Sequence, residues 1–122
     1  DQGRRRSTIT LRKLQQQEAA VAYQQVVLKA WHEVDDAIST YVAETQRETR
    51  FTERARNAQE EAALARARRA DGLTSYLPVL NAAVAVIDAQ RDLTDSNARV
   101  RTALAALYKA LGDDGAPGVS AP

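Results

Sequence analysis

Between Gly3 and Gly72 the chain contains neither glycine nor proline. The interval is dense in Ala, Gln, Glu, Arg and Leu, the residues that lose least on entering a helix. An unbroken helix from Arg4 to Asp71 would extend roughly 100 Å at 1.5 Å per residue. The remaining breakers are Gly72, Gly112, Gly115 and Gly118 with Pro78, Pro117 and Pro122. They leave a second clear interval, Val79 to Leu111, worth only about 50 Å of helix. This punctuation predicts an all-α fold. Two antiparallel helices of the coiled-coil type form a long hairpin, the first about twice the length of the second. The expected divisions are a strand-to-helix transition over 1–9, a long helix over 10–71, a turn at 72–75, a second helix over 76–111 and a Gly/Pro-rich, disordered tail over 112–122.

The ends carry their own chemistry. Ser7-Thr8-Ile9-Thr10-Leu11 alternates polar and apolar residues, as the tail of a strand would; a frayed helix start capped by Ser7 or Thr10 fits equally. Arg66, Arg68 and Arg69 fall in the last turns of the first helix, where cations favour the negative dipole end. Gly72 suits the left-handed position that terminates a helix. Thr74 or Ser75 then caps the second helix, and Pro78 is tolerated within its first turn. Lys109 and Gly112 mark the end of that helix.

Composition removes several function classes. The chain has 122 residues and 13.4 kDa, one domain at most, and only 5% aromatic residues. A core of Ala and Val is thin, so stability has to come from long contact surfaces. Charge is 17 basic against 16 acidic, which provides no general surplus for displacing counterions from nucleic acid. Arg4-Arg5-Arg6 invites a nucleic-acid or lipid-headgroup reading, but three charges at a terminus read first as a solvated end. Without Cys there is no disulfide, thiolate metal site or Cys nucleophile. No apolar run reaches the 18 or so residues of a membrane-spanning helix. No signal peptide is present and the sequence does not begin with Met, so it reads as a fragment or processed piece.

The apolar positions follow a heptad rhythm. Val79, Ala83, Val86, Gln90, Leu93, Asn97, Val100, Leu104, Leu107 and Leu111 form a seam in the second helix, interrupted by Gln90 and Asn97. Leu80 and Val84, with Ile87, widen that face. In the first helix Val27, Trp31, Val34, Ile38 and Tyr41 keep the rhythm, and Ala55, Ala58, Ala62 and Ala65 continue it in small residues. The shorter helix covers only about Asp36 to Asp71 of the longer. Leu11, Leu14, Val21, Val26, Val27, Leu28, Trp31 and Val34 are left over, each forgoing roughly 1.5–3 kcal/mol if it stays wet. Either the first helix breaks within Glu44–Arg50 and folds back, or this half packs on chain outside the sequence. The second is the stronger expectation, because Glu44–Arg50 holds no breaker.

Catalytic and metal chemistry is sparse. His32 with Asp35 and Asp36 forms a trio on one helical face, but with no fourth ligand it reads as a solvated face. No P-loop, nucleophile elbow, H-E-x-x-H or dinucleotide fingerprint occurs. The carboxylates are interspersed with Arg, as on a solvated helix. No catalytic, cofactor-binding or metal-binding residue is expected, and no cofactor.

Specific words then become visible. Gly72-Leu73-Thr74-Ser75-Tyr76-Leu77, Val79-Leu80-Asn81-Ala82 and Ala105-Ala106-Leu107-Tyr108-Lys109-Ala110-Leu111-Gly112 resemble the C-terminal part of TolC-like outer-membrane efflux channels. One branch of that family carries G-L-x-S-Y-L-x-V-L-D-A followed by A-L-Y-K-A-L-G. Asp1-Gln2-Gly3-Arg4 resembles the end of the F-D-x-G-R element, where the last barrel strand hands over to a periplasmic helix. Ala22-Tyr23, Val27-Leu28, Ala30-Trp31 and Glu33-Val34-Asp35-Asp36-Ala37 resemble the same helix. The likeness spans nearly the whole chain except its tail and corresponds to the last section of a longer family protein.

The resemblance implies a segment of a homotrimer whose outer-membrane β-barrel continues as an α-helical tunnel through the periplasm. Such a channel is a passive conduit for export of drugs and other small molecules. The turn Gly72, Leu73, Thr74 and Ser75 would dock a periplasmic adaptor protein, itself joined to an inner-membrane RND-type pump; no nucleic-acid partner is implied. Pro78 and Asn81 stand where many relatives place acids of the tunnel-end constriction, and both are neutral. The family's R-Y-x-x-G appears as Arg68-Arg69-Ala70-Asp71-Gly72, without the Tyr of the gate. Helix packing is expected from Val27, Trp31, Val34, Ile38, Val86, Leu93, Val100, Leu104 and Leu107. The alternative reading is a self-standing helical-hairpin module that interacts through its seams.

Overall fold

A computed structural model describes residues 1–113. Two helices account for almost all of them: α1, Gln2–Ala70, and α2, Leu77–Asp113. At 69 and 37 residues they run roughly 104 and 56 Å. They pack against each other as an antiparallel hairpin. α1 continues through Glu44–Arg50 without a break, so the fold-back alternative is excluded.

The turn is fixed by one glycine. Gly72 has φ +72°, and no other described residue has positive φ. Its N–H donates to the Arg69 carbonyl and that of Leu73 to the Arg68 carbonyl, both at 3.0 Å. These two bonds satisfy the last carbonyls of α1 in the Schellman pattern, which requires a left-handed residue between them.

Three boundaries differ from those expected. Residues 1–9 do not form a strand-to-helix transition: α1 is helical from Gln2. Ser7, Thr8 and Thr10 donate to the carbonyls of Gly3, Arg4 and Arg6 at 2.8–2.9 Å, so none serves as a cap. A strand needs a neighbouring strand for its backbone groups, and none exists among the described residues, whereas a helix satisfies them locally. At the turn, neither Thr74 nor Ser75 caps α2; the Tyr76 carbonyl accepts the first helical bond, from Leu80 N–H at 3.2 Å. Starting at Leu77 places Pro78 second in the helix, where its missing donor leaves no bond unmade. At the other end α2 passes through Gly112 to Asp113. A glycine there costs about 1 kcal/mol relative to Ala, which the run of good helix formers before it offsets. Of the tail assigned to 112–122, residues 114–122 lie outside the described residues.

The seam follows heptad spacing on both helices. On α1 the buried and half-buried positions include Ala30, Val34, Ala37, Tyr41, Glu44, Glu48, Phe51, Ala55, Ala58, Ala62 and Ala65, alternating steps of four and three. On α2, Val86, Leu93, Val100, Leu104 and Leu107 are half-buried, as expected. The deepest positions there are smaller: Ala89, Ser96 and Ala103, at 5% exposure or less. With Ala82 and Ala110 they recur every seventh residue. A column of small residues lets the two backbones approach closely, and the larger Val and Leu at the flanking heptad position close the gap.

Candidate functional site

The candidate functional surfaces are the seam, the turn and the uncovered part of α1. Two ion pairs mark the level of one helix against the other. Arg54 Nη1 donates to Asp92 Oδ2 at 2.8 Å, and Arg99 Nε lies 3.6 Å from Glu44 Oε2. Arg47 also approaches Glu44, at 3.5 Å within α1. This register puts Tyr41, Glu48 and Ala55 roughly level with Ala103, Ser96 and Ala89. The middle of the seam is thus polar, with Glu44 and Glu48 on one side and fully buried Ser96 on the other. Glu44 Oε2 and Ser96 Oγ are buried without hydrogen-bond partners. Glu44 Oε2 keeps the Arg99 guanidinium as its ionic partner, whereas the orphaned Ser96 hydroxyl weakens the centre of the seam relative to its alanine-rich distal part.

At the turn, Gly72, Leu73 and Ser75 are exposed and Thr74 is half-buried. Arg69 Nη1 donates to the Thr74 carbonyl at 3.2 Å, closing the loop over the end of α1. Thr74 Oγ1 is buried without a partner. Pro78 and Asn81 are exposed on the first turns of α2, and neither brings a charge.

α2 ends level with the middle of α1: Leu111 lines an open groove of about 300 Å³ with Val27, Ala30, Trp31 and Val34. Toward the N-terminus from there, every residue from Asp1 to Lys29 is exposed. Ile9, Leu11, Leu14, Val21, Tyr23, Val26 and Leu28 are all more than half exposed. Of the α1 residues assigned to helix packing, only Val34 enters the seam with α2. Val27 is exposed, and Trp31 and Ile38 are exposed at 71% and 45%. Two interleaved heptads share Val34 and Tyr41; the one chosen by α2 runs through Ala30 and Ala37, because small residues admit the facing helix and Trp does not. Sequence reasoning also placed Gln90 in the α2 seam, whereas Gln90 is exposed. The sevenfold recurrence of Ala82, Ala89, Ser96, Ala103 and Ala110 was the signal that would have identified the deepest column.

His32, Asp35 and Asp36 lie on an exposed stretch of α1, and no group of three or more His, Cys, Asp or Glu is placed to hold a metal ion among the described residues. No helix among them is long and apolar enough to cross a membrane. The chain exposes 9977 Å², about one and a half times the roughly 6,500 Å² of a compact monomer of this mass. The excess reflects a rod whose longer helix is half unaccompanied.

No curated protein and no solved structure matches the chain. The sequence model of the outer membrane efflux protein family matches residues 1–113, all of both helices and the turn between them. The chain therefore belongs to the outer membrane efflux protein family, a family of transport proteins rather than enzymes.

Proposed function

We propose that this chain is the C-terminal periplasmic hairpin of a trimeric outer-membrane efflux channel, a passive conduit for exported small molecules and drugs. The observation that carries the proposal is the unaccompanied half of α1. Its large exposed side chains need cover that α2 is too short to give, and in a tunnel wall the other helices of the same and neighbouring protomers supply it. The widened face of α2, with Leu80, Val84 and Ile87 about half exposed, serves the same purpose nearer the turn. The turn Gly72–Ser75 is the tip that docks a periplasmic adaptor, which connects the channel to an inner-membrane RND-type pump. Pro78 and Asn81 border the tunnel end without an acidic ring. No cofactor and no nucleic acid take part.

The test is made in the full-length protein. Ser75→Glu, at an exposed turn position, is expected to reduce cross-linking to the adaptor and lower drug resistance while leaving trimer formation unchanged. Unaltered cross-linking and resistance would overturn the docking assignment. The coding sequence upstream of Asp1 separates this reading from a self-standing hairpin module. A channel requires a secretory signal, barrel strands and a first hairpin copy there; a gene that starts near Asp1 would contradict it.

A further inference from the structure

The near-neutral total charge conceals a strongly polarised rod. Between Gln2 and Gln17 stand five cations, Arg4, Arg5, Arg6, Arg12 and Lys13, and no acid. Beyond Lys29 acids outnumber bases. All five cations are exposed, and none joins an ion pair among the described residues. Their position opposes the local field. The first turn of a helix favours acids, yet beyond the N-cap Asp1 α1 has none there and carries three adjacent cations instead. Neither the helix nor a neighbouring carboxylate accounts for them, so an external anion is the natural counter-charge.

The spacing gives the patch a shape. Seven-residue steps stack Arg12 above Arg5 and Lys13 above Arg6, within roughly 14 Å of helix from Arg4. Leu14, Val21 and Leu28, in the same steps, occupy another side and remain available to helix partners. A polyanion lying along the rod would meet the acidic excess beyond Lys29. An anionic surface beside this end meets five cations against the single acid Asp1, and two helical turns lie within about one to two Debye lengths of it.

We propose that the N-terminal end of α1 binds the anionic headgroups of a lipid surface. Arg4, Arg5 and Arg6 contact the phosphates, and Arg12 and Lys13 extend the attraction by one to two turns. The inference rests on the channel reading for placing this end toward the outer membrane. Its test requires neither trimer nor adaptor, so failure of one is distinguishable from failure of the other.

The experiment is co-sedimentation of the 122-residue chain with vesicles of phosphatidylglycerol and phosphatidylcholine, against phosphatidylcholine alone. Binding is expected only to the former and is lost at high salt. At about fivefold per cation near a surface, R4Q/R5Q/R6Q lowers the partition coefficient about 100-fold and R12Q/K13Q about 25-fold at most. R50Q/R66Q/R68Q, removing as many exposed cations far from this end, leaves it unchanged, and circular dichroism confirms that all variants remain equally helical. Equal binding to neutral vesicles, or equal losses from the two triple variants, would overturn the proposal. Tighter retention on a short DNA duplex than on anionic vesicles at the same salt would also overturn it and assign the patch to nucleic acid.

Discussion

From Ala30 to Ala70, α1 lies against α2 and turns inward mainly alanines, interrupted by Val34, Tyr41, Glu44, Glu48 and Phe51. From Gln2 to Lys29 the same helix carries Ile, Leu, Val and Tyr side chains and, apart from Leu111 near Val27, has no neighbour. Ordinary domains put their largest apolar side chains deepest; here burial and size are inverted. The residues at 5% exposure or less are Ala55, Ala62, Ala89, Ala103 and Ser96, while Trp31 and Leu14 face outward. The difference teaches that the α1–α2 seam is built for close approach and contributes little buried area per residue. Apart from Val27, the larger side chains of the first half make no contact with α2, and all stay exposed. Pairing the hairpin and, in the proposed channel, building the wall are therefore separate tasks, assigned to different faces and different halves of α1.

The sharpest way to break that comparison is to insert bulk into each half. Ala62→Leu is expected to destabilise the isolated chain by about 1–3 kcal/mol, because a seam of alanines cannot admit the extra volume. Ala20→Leu, on the uncovered half, is expected to stay within about 0.5 kcal/mol of the parent. Chemical denaturation followed by circular dichroism compares the two, and equal losses would erase the distinction between the halves.

Next in size is the turn on which the pairing depends. A Cβ at Gly72 would meet nothing within 4 Å, so Gly72→Ala tests backbone conformation alone, and about 1–2 kcal/mol of the hairpin's stability should be lost. A smaller effect, of opposite sign, is expected at the buried hydroxyl in the alanine column: Ser96→Ala should gain up to about 1 kcal/mol, since no hydrogen bond is lost. Any loss there would show that the hydroxyl has a partner in solution. The smallest effect concerns register. A double-mutant cycle on Arg54 and Asp92, each roughly half exposed, should give a coupling of about 0.2–1 kcal/mol that fades with salt. A larger, salt-insensitive coupling would make that pair, rather than the turn, the main determinant of register.

The breaker pattern made the architecture legible: Gly72 and Pro78 bracket the turn, and the unequal clear intervals foretell the unequal helices. The deep column of α2 was less legible, because Ala89, Ser96 and Ala103 bury little area each and a hydrophobicity pattern gives them little weight beside Leu93 or Leu104. On α1 the pattern was ambiguous for a physical reason. Val34 and Tyr41 belong to both heptads, and only the facing helix chooses Ala30 and Ala37 over Trp31 and Ile38. The alternation in Ser7–Leu11 is a genuine two-period pattern, overridden because the helix satisfies its backbone without a partner strand. For the candidate site, the turn residues stood out through their punctuation. The cross-helix pairing of Glu44 with Arg99 did not, since either charge could be solvated on its own helix.

Hydrogen–deuterium exchange resolved along α1, at a concentration where the chain sediments as a monomer, tests the central claim most directly. The expected profile has a step near Ala30: amides from there to Ala70 are protected by packing on α2, and those before Lys29 exchange markedly faster, like a helix without tertiary support. Protection that remains uniform from Gln2 to Ala70 in the monomer would contradict it, because the first half of α1 would then be stable without a neighbour.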